Sequence, residues 1–356
     1  MTSHQLRYLT MAREATYNDS STEVNVYVGE VESESYQQSY DVLKRNDINY
    51  YGARKAIVSK KIAEGSFTCA LQPDAFVLCA LHGIMGVDTP STDSGSTPTT
   101  DERRFTEIPL TASTELPSYT IRVGRDDYEH IFPGQVIESI AVSASIGEYA
   151  MLTVNTVGAE QEDAEGTLET TYVPDYTGDA AHFAGAYVNF ESVATNSAFS
   201  NMVQSIDFEI KTNRDMDNAY SLGSETCVRA PPITLREVSG SITFHKALDS
   251  TDSASGAPYF EELRAATAAG GEALFDPSGA DVPALSALFR VDADNYIRFD
   301  FGRVIYEMPE TSVSGRDSQT MTVNFHALWE DDASGRDGMV EITAKGTGVN
   351  DYDAIA

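Results

Sequence analysis

Cys79 and His82 are the first residues whose types and spacing could bind something, because a thiol and an imidazole one helical turn apart supply two ligands of a tetrahedral metal site. They lie inside the apolar run PDAFVLCALHGIMG with no second pair to complete the set, so the spacing reads as buried helix packing. Asp126 and Asp127, with Asp292, Asp294 and Asn295, offer the oxygens of a calcium loop, but the glycine and distal glutamate of an EF-hand are missing. Asp and Asn in such runs form turns by bonding their own backbone. Glu30, Glu32 and Glu34 alternate along EVESESY, which would place them on one strand face, either as a paired-carboxylate site or as a solvated acidic wall. Three like charges on one face favour the wall. The histidines are scattered with no repeated serine or carboxylate partner, and GxSxG, HExxH, phosphate-loop and GxGxxG patterns are absent. The chain therefore reads as a non-enzyme with no cofactor, metal or catalytic set.

The elements that carry these residues occur twice. RVGRDDYEHIFPGQVI at 122–137 aligns without a gap to RVDADNYIRFDFGRVI at 290–305, with identities at Arg122/Arg290, Val123/Val291, Asp126/Asp294, Tyr128/Tyr296, Gly134/Gly302, Val136/Val304 and Ile137/Ile305. Downstream, Thr153-Val154-Asn155 matches Thr322-Val323-Asn324; upstream, KIAEGSFTC matches REVSGSITF at Gly65/Gly240, Ser66/Ser241 and Thr68/Thr243. A helical pattern follows each upstream strand, opened by Pro73 or Pro258 and closed by Gly83 and Gly86 or by Gly270 and Gly271. The shared Gly134/Gly302 reads as a turn feeding a strand. Elsewhere a period of two dominates: SIDFEIK sets Ile206, Phe208 and Ile210 against Asp207 and Glu209, and TMTVNFH sets Met321, Val323 and Phe325 against Thr322, Asn324 and His326. The expected fold is mainly β with short helices, in two tandem modules: 1–165 with an arm at 37–61 and a polar loop at 87–104, a linker at 166–184, and 185–356.

Composition limits the partners. With 55 acidic and 24 basic residues, the net charge of −31 argues against DNA binding through phosphates, though not against a passage that repels the polymer. Lysine is confined to Lys44, Lys55, Lys60, Lys61, Lys211, Lys246 and Lys345 while the other basic residues are arginine, a balance that suits strong brine. This points to a haloarchaeal or halobacterial setting, with an ordinary acidic protein as the alternative. Cys69, Cys79 and Cys227 read as reduced buried thiols. No window reaches the roughly 18 apolar residues of a membrane span and the N-terminus lacks a signal-peptide pattern, so the expectation is a cytoplasmic product or a particle assembled there, without membrane insertion. The arm gathers Lys44, Arg45, Arg54, Lys55, Lys60 and Lys61 in an acidic chain, which suits contact with an acidic neighbouring copy.

The order of these features resembles the tail tube (major tail) proteins of tailed viruses. The opening REATYND is similar to that family's R-E-T-x-Y/F-G start, with Asn18 where a glycine is expected. A long arm, a G-S-x-T strand entering a helix, the Y-T-I-R-V strand, the hairpin GQVIESIAVSASIGE at 134–148, and VQSIDFEIKTNRDMDNAYSLGSE followed by SGSITFHK complete the likeness. The resemblance implies a virion structural protein whose modules, sandwiches or half-barrels, contribute strands to an intersubunit β-barrel, with rings stacked into a hollow tube for DNA ejection. It further implies tape-measure and tail-end partners, DNA in transit without specific binding, and assembly in the host cytoplasm. The row Glu30, Glu32, Glu34 and the row Asp207, Glu209 are the candidate lumen-facing residues, and the basic arm is the candidate inter-ring contact. Two modules per chain lead to a homotrimeric, pseudo-sixfold ring, with a hexamer as alternative. The rival readings are a non-viral surface or structural β protein of a halophile and, behind it, an enzyme on a duplicated β scaffold.

Overall fold

The computed structural model describes residues 6–46, 48–90, 102–108, 116–125, 128–162, 168, 172, 178–189, 203–244, 285–307, 320–331, 337–346, 349 and 352. In the first copy these form β1 (Leu6–Glu14), β2 (Glu23–Gly29), β3 (Val31–Glu34), β4 (Gln37–Arg45), β5 (Lys55–Ala70), α1 (Ala75–Met85), β6 (Gly86–Pro90), β7 (Glu102–Glu107), β8 (Tyr119–Arg125), β9 (Tyr128–Ser145) and β10 (Met151–Gly158). The second gives β11 (Ala186–Asn189), β12 (Val203–Lys211), β13 (Glu237–Phe244), β14 (Leu285–Arg290), β15 (Tyr296–Phe301), β16 (Arg303–Tyr306), β17 (Met321–Leu328), the short pair β18 (Glu330–Asp331) and β19 (Asp337–Gly338), and β20 (Val340–Lys345). The mainly β expectation holds. The second copy's expected helix at 258–271 lies outside the described residues.

One antiparallel sheet runs β16-β17-β13-β12-β9-β10-β5-β3, and a second runs β11-β14-β15-β20-β7-β6. Both contain strands of both copies, joined at β12–β9 in the first and at β20–β7 in the second. The register of the repeat is visible in the large sheet. Thr68 lies opposite Thr153 and Thr243 opposite Thr322, with hydroxyls 3.2 and 3.1 Å apart. Gly65 lies opposite Thr156 and Gly240 opposite Phe325, and each glycine leaves room for an aromatic residue on the next strand. A Cβ at Gly65 would fall 2.5 Å from the Tyr36 ring, and one at Gly240 2.6 Å from Phe208 Cβ.

Three expectations need correction. Gly134 and Gly302 are corners and not turns: β9 pairs with β8 as far as Gln135 and with β10 from Val136 on, while Gly134 takes φ +67°. Likewise β15 pairs with β14 and β20, and past Gly302 β16 pairs with β17. One strand thus serves two layers, a device for turning a sheet corner. The gap-free alignment also fails locally, because Arg125 faces Tyr128 across the first hairpin whereas Arg290 faces Tyr296 across a longer one. The ends of the polar loop at 87–104 form β6 and β7 instead of coil, held by the Arg103–Asp88 ion pair at 3.0 Å and by Arg104 bonded to Glu341 of β20.

The inner faces meet over an aromatic core. Phe208 of the large sheet packs against Phe299 and Phe301 of β15 at 4.9 and 5.3 Å, and Phe325 meets Phe301. Burying each such ring stabilises by about 1.5–3 kcal/mol. Every residue of α1 is buried, as expected of a helix apolar all round. Asp74 caps it by accepting from Val77 N at 2.7 Å, and Gly86 ends it at φ +93°. Burial raises the Asp74 carboxyl to about 6.

Candidate assembly surfaces

The large sheet has one face in the core and one facing away from it. In β12, Ile206, Phe208 and Ile210 are buried while Asp207 is exposed and Glu209 half-buried, as the alternation predicts. Cross-strand neighbours share a face, so the register carries the polar side across the sheet. Glu209 sits in a row with Ala141, Thr153, Thr68 and Ser33 in one direction and Ser239 and His326 in the other. Asp207 sits with Ser143, Ser241 and Asn324, and Lys211 with Ser139, Asn155, Ser66 and Glu237. The surface is built of small hydroxyl and amide side chains beneath scattered carboxylates.

The charge on this face is mostly negative. Glu64, Asp207, Glu209, Glu237 and Glu307 lie on it with Glu138 in a neighbouring bulge, against Lys211, Arg303 and His326. Lys211 is bonded to Glu209 at 2.9 Å, which raises its pKa, and Glu307 accepts from Asn324 Nδ2 at 2.8 Å and pairs with His326 at 3.1 Å. Partial burial raises the Asp207 carboxyl. Among the described residues no group of three His, Cys, Asp or Glu side chains could hold a metal.

The expected row Glu30, Glu32, Glu34 does not share one face. A bulge between Val31 and Ser33 adds a residue and reverses the alternation, so Glu34 falls opposite Phe67, on the core side. There Arg125 grips it with Nε and Nη2 at 2.8 and 2.5 Å, leaving Glu30 and Glu32 exposed. The same cluster covers the sheet edge at Tyr36, whose N–H donates to Glu34 at 3.0 Å and whose carbonyl accepts from Arg125 at 2.7 Å.

The arm is a two-stranded hairpin of β4 and β5 that outruns the sheet. Its register shifts between Tyr40 and Val42, and beyond it Leu43 and Ile57 pair in the open, 57% and 65% exposed. Tyr40, Val42 and Val58 are exposed as well, as are Ile48, Tyr50 and Tyr51 near the tip. Lys44, Arg45, Arg54 and Lys55 lie among them, with Arg54 stacked over Tyr50 at 4.9 Å. A bare two-stranded ribbon with apolar residues on its surface is marginal by itself. Lys60 and Lys61 instead hold the base, pairing with Asp217 at 2.6 Å and Glu225 at 3.3 Å, while Tyr220 OH donates to the Lys61 carbonyl at 2.7 Å. Tyr36 is buried and belongs to the core.

The opening motif supplies a hub that sequence reasoning did not single out. Buried Glu14 accepts from Asn18 N at 3.0 Å, Ser118 Oγ at 2.7 Å, Thr120 Oγ1 at 2.8 Å and Gly134 N at 2.7 Å. It ties the first strand to the corner where β9 changes sheets. Asn18 has φ +57°, the left-handed region, which explains a glycine at that position and why asparagine is a workable substitute. Cys79 and His82 are buried helix residues: His82 Nδ1 meets Tyr352 OH at 2.6 Å, burial lowers the imidazole to about 4, and the adjoining void has room for about one water. Asp292 caps its own turn, accepting from the N–H groups of Asp294 and Asn295 at 2.8 and 2.9 Å.

A family model described as phage tail tube protein matches residues 5–327 of the chain. No curated protein matches it.

Proposed function

Because the chain belongs to the phage tail tube protein family, we propose that it polymerises as stacked rings into the hollow tube of a viral tail, the conduit for DNA ejection into the host. As a virion structural protein it works by assembly, without catalysis. The observation that carries the finer reading is the large sheet, in which the two copies abut through β12 and β9 to make one continuous sheet whose main path ends at β16 and β3. Two modules per chain support a ring of three chains with pseudo-sixfold symmetry. The polar face bearing Asp207 and Glu209 is the bore lining, where negative charge keeps DNA from adhering. Glu30 and Glu32 stand at its margin, whereas Glu34 belongs to the edge cluster with Arg125. The exposed hairpin with Lys44, Arg45, Arg54 and Lys55 contacts the acidic neighbouring ring, and the pairs of Lys60 and Lys61 hold its base. A tape-measure protein and tail-end proteins complete the tail, assembled in the cytoplasm of a haloarchaeal host, a setting supported by the net charge of −31.

Electron microscopy of the purified protein in high salt tests this: hollow tubes of stacked rings are expected, with threefold symmetry at high resolution. Sheets would favour a surface layer, a lasting monomer would end the tube reading, and strict sixfold symmetry would end the trimer. Replacing Asp207 and Glu209 with lysine should leave tubes intact and abolish infectivity.

A further inference from the structure

The last described residues of the chain cross from the second copy onto the first. β20 pairs with β15 of its own copy on one side and with β7 of the first on the other, setting Ile342 opposite Phe105 and Thr343 opposite Arg104. Among the described residues this is the second strand seam between the copies, the first being β12 on β9. Much of β7 serves the contact: Glu107 accepts from Met339 N and Val340 N at 3.1 and 3.3 Å, and Arg104 bonds Glu341. Past β20 the chain passes tightly over the start of α1, where a Cβ at Gly346 would fall 3.2 Å from Pro73, and two turns then bury Val349 and Tyr352. The Tyr352 ring lies against Tyr27 of β2, His82 of α1 and Phe105 of β7, with centroids 5.8, 6.1 and 6.1 Å away. Its hydroxyl meets His82 Nδ1 at 2.6 Å, and Arg103 donates to its carbonyl at 2.9 Å. These residues lie beyond the matched span 5–327, and the family reading gives them no role.

We propose that β20 and Tyr352 form a clasp, that the pocket between β2, α1 and β7 is a binding site for a phenol side chain, and that seating Tyr352 there fixes the angle between the two copies. Two bodies joined along one sheet seam can bend about it, and a second seam in the facing layer stops that bending. The β6–β7 hairpin needs such a fastening, since two strands alone are marginal. The pocket selects a phenol over a plain ring because buried His82 offers a hydrogen-bond partner, and a ring without the hydroxyl leaves that imidazole unsatisfied. A closed ring of subunits requires the same angle in each, so an open clasp should block ring closure without unfolding either copy. That consequence rests on the tube reading above, whereas the clasp itself does not.

Removing the plug tests this in full-length, unassembled subunits. Spin labels at Thr89→Cys on β6 and Ala293→Cys between β14 and β15 stand exposed on either side of β20, whereas the native cysteines Cys69, Cys79 and Cys227 are buried. Pulsed electron spin resonance should give one narrow distance in the otherwise unaltered chain and a broad distribution after Tyr352→Gly. Burying a ring of this size shifts a docking equilibrium roughly tenfold or more, so the glycine variant should form tubes at no more than about a tenth of the unaltered yield. p-Cresol, the tyrosine side chain as a free molecule, should fill the cavity and restore both the narrow distance and the tubes, and toluene, which lacks the hydroxyl, should restore less. Tyr352→Phe keeps the ring and should broaden the distances partly; it carries the test if the glycine variant does not fold. Narrow distances in both variants, or a broad distribution that p-cresol leaves unchanged, would overturn the clasp. Broad distances with a normal yield of tubes would overturn its link to ring closure. Failure of the unaltered protein to form tubes, with the distances responding as expected, would remove the tube reading and leave the clasp standing.

Discussion

Replacing Glu14 with alanine should unfasten the corner at which β9 changes sheets. The carboxylate serves two backbone donors, Asn18 N and Gly134 N, and two hydroxyls, Ser118 and Thr120. The hydroxyls can rotate toward other acceptors, but the backbone groups cannot, and each buried donor left unsatisfied costs about 1–3 kcal/mol. Asn18 is half-buried and water can reach it in part, so the expected loss is about 2–4 kcal/mol, at the upper end if Gly134 N stays dry. Glu14→Gln keeps an acceptor without the charge and should lose about 1–2 kcal/mol, since hydrogen bonds to charged groups are the stronger ones. The assay is urea unfolding of unassembled subunits followed by far-UV circular dichroism, reading a fall in midpoint at constant slope. A Glu14→Ala protein within about 0.5 kcal/mol of the unaltered chain, the range of ordinary surface changes, would refute the hub.

Alanine at Gly65 or Gly240 should destabilise by about 1–3 kcal/mol each, because the new Cβ meets Tyr36 Cα at 2.7 Å or the Asp207 carbonyl at 2.4 Å, backbone atoms that cannot step aside; differential scanning calorimetry would show the drop. Asn18→Gly should be neutral in the same assay, whereas Asn18→Val should cost about 1–3 kcal/mol through strain at φ +57°. Acid titration of stability separates two buried groups of opposite sign. The folded His82 titrates at about 4 against an ordinary 6.5, so its contribution grows as pH rises from about 4 to 6.5 and is lost on acidification. The folded Asp74 titrates at about 6 against 3.8, so its contribution is fully present below 3.8 and is lost as pH rises through about 6. His82→Gln and Asp74→Asn should therefore tilt the stability curve between pH 4 and 6 in opposite directions, downward with rising pH for the first and upward for the second. Arg125→Ala should bare the edge at Tyr36 and raise irregular aggregation, read by light scattering in subunit preparations that stay clear with Arg125 in place.

Much of the fold was legible because strand periodicity reports burial directly. SIDFEIK and TMTVNFH have their apolar residues inside and polar residues outside, and the matched Gly-Ser-x-Thr strands occupy matched places in the sheet. The failures share a cause. Alternation assumes an unbroken ladder, and one inserted residue between Val31 and Ser33 carried Glu34 to the other face. The gap-free repeat likewise concealed that the hairpins after Arg125 and Arg290 differ in length. Glu14 was visible only as a letter in REATYND, since a buried acid looks like an exposed one until its donors, more than a hundred residues away at Ser118, Thr120 and Gly134, come into view. The basic arm was legible as composition, but its division into an exposed ribbon and a clamped base depends on Asp217, Tyr220 and Glu225 of the other copy.

That clamp shows what fusing two copies makes possible. The segment joining β12 to β13 corresponds in the repeat to the arm joining β4 to β5, yet it folds down and holds the base of the arm that the first copy retains. A single-copy ancestor would have had to put one loop to both uses at every position. Duplication freed one loop to reach outward and its sibling to brace it, a division of labour that halves the number of protruding arms while stiffening each one that remains.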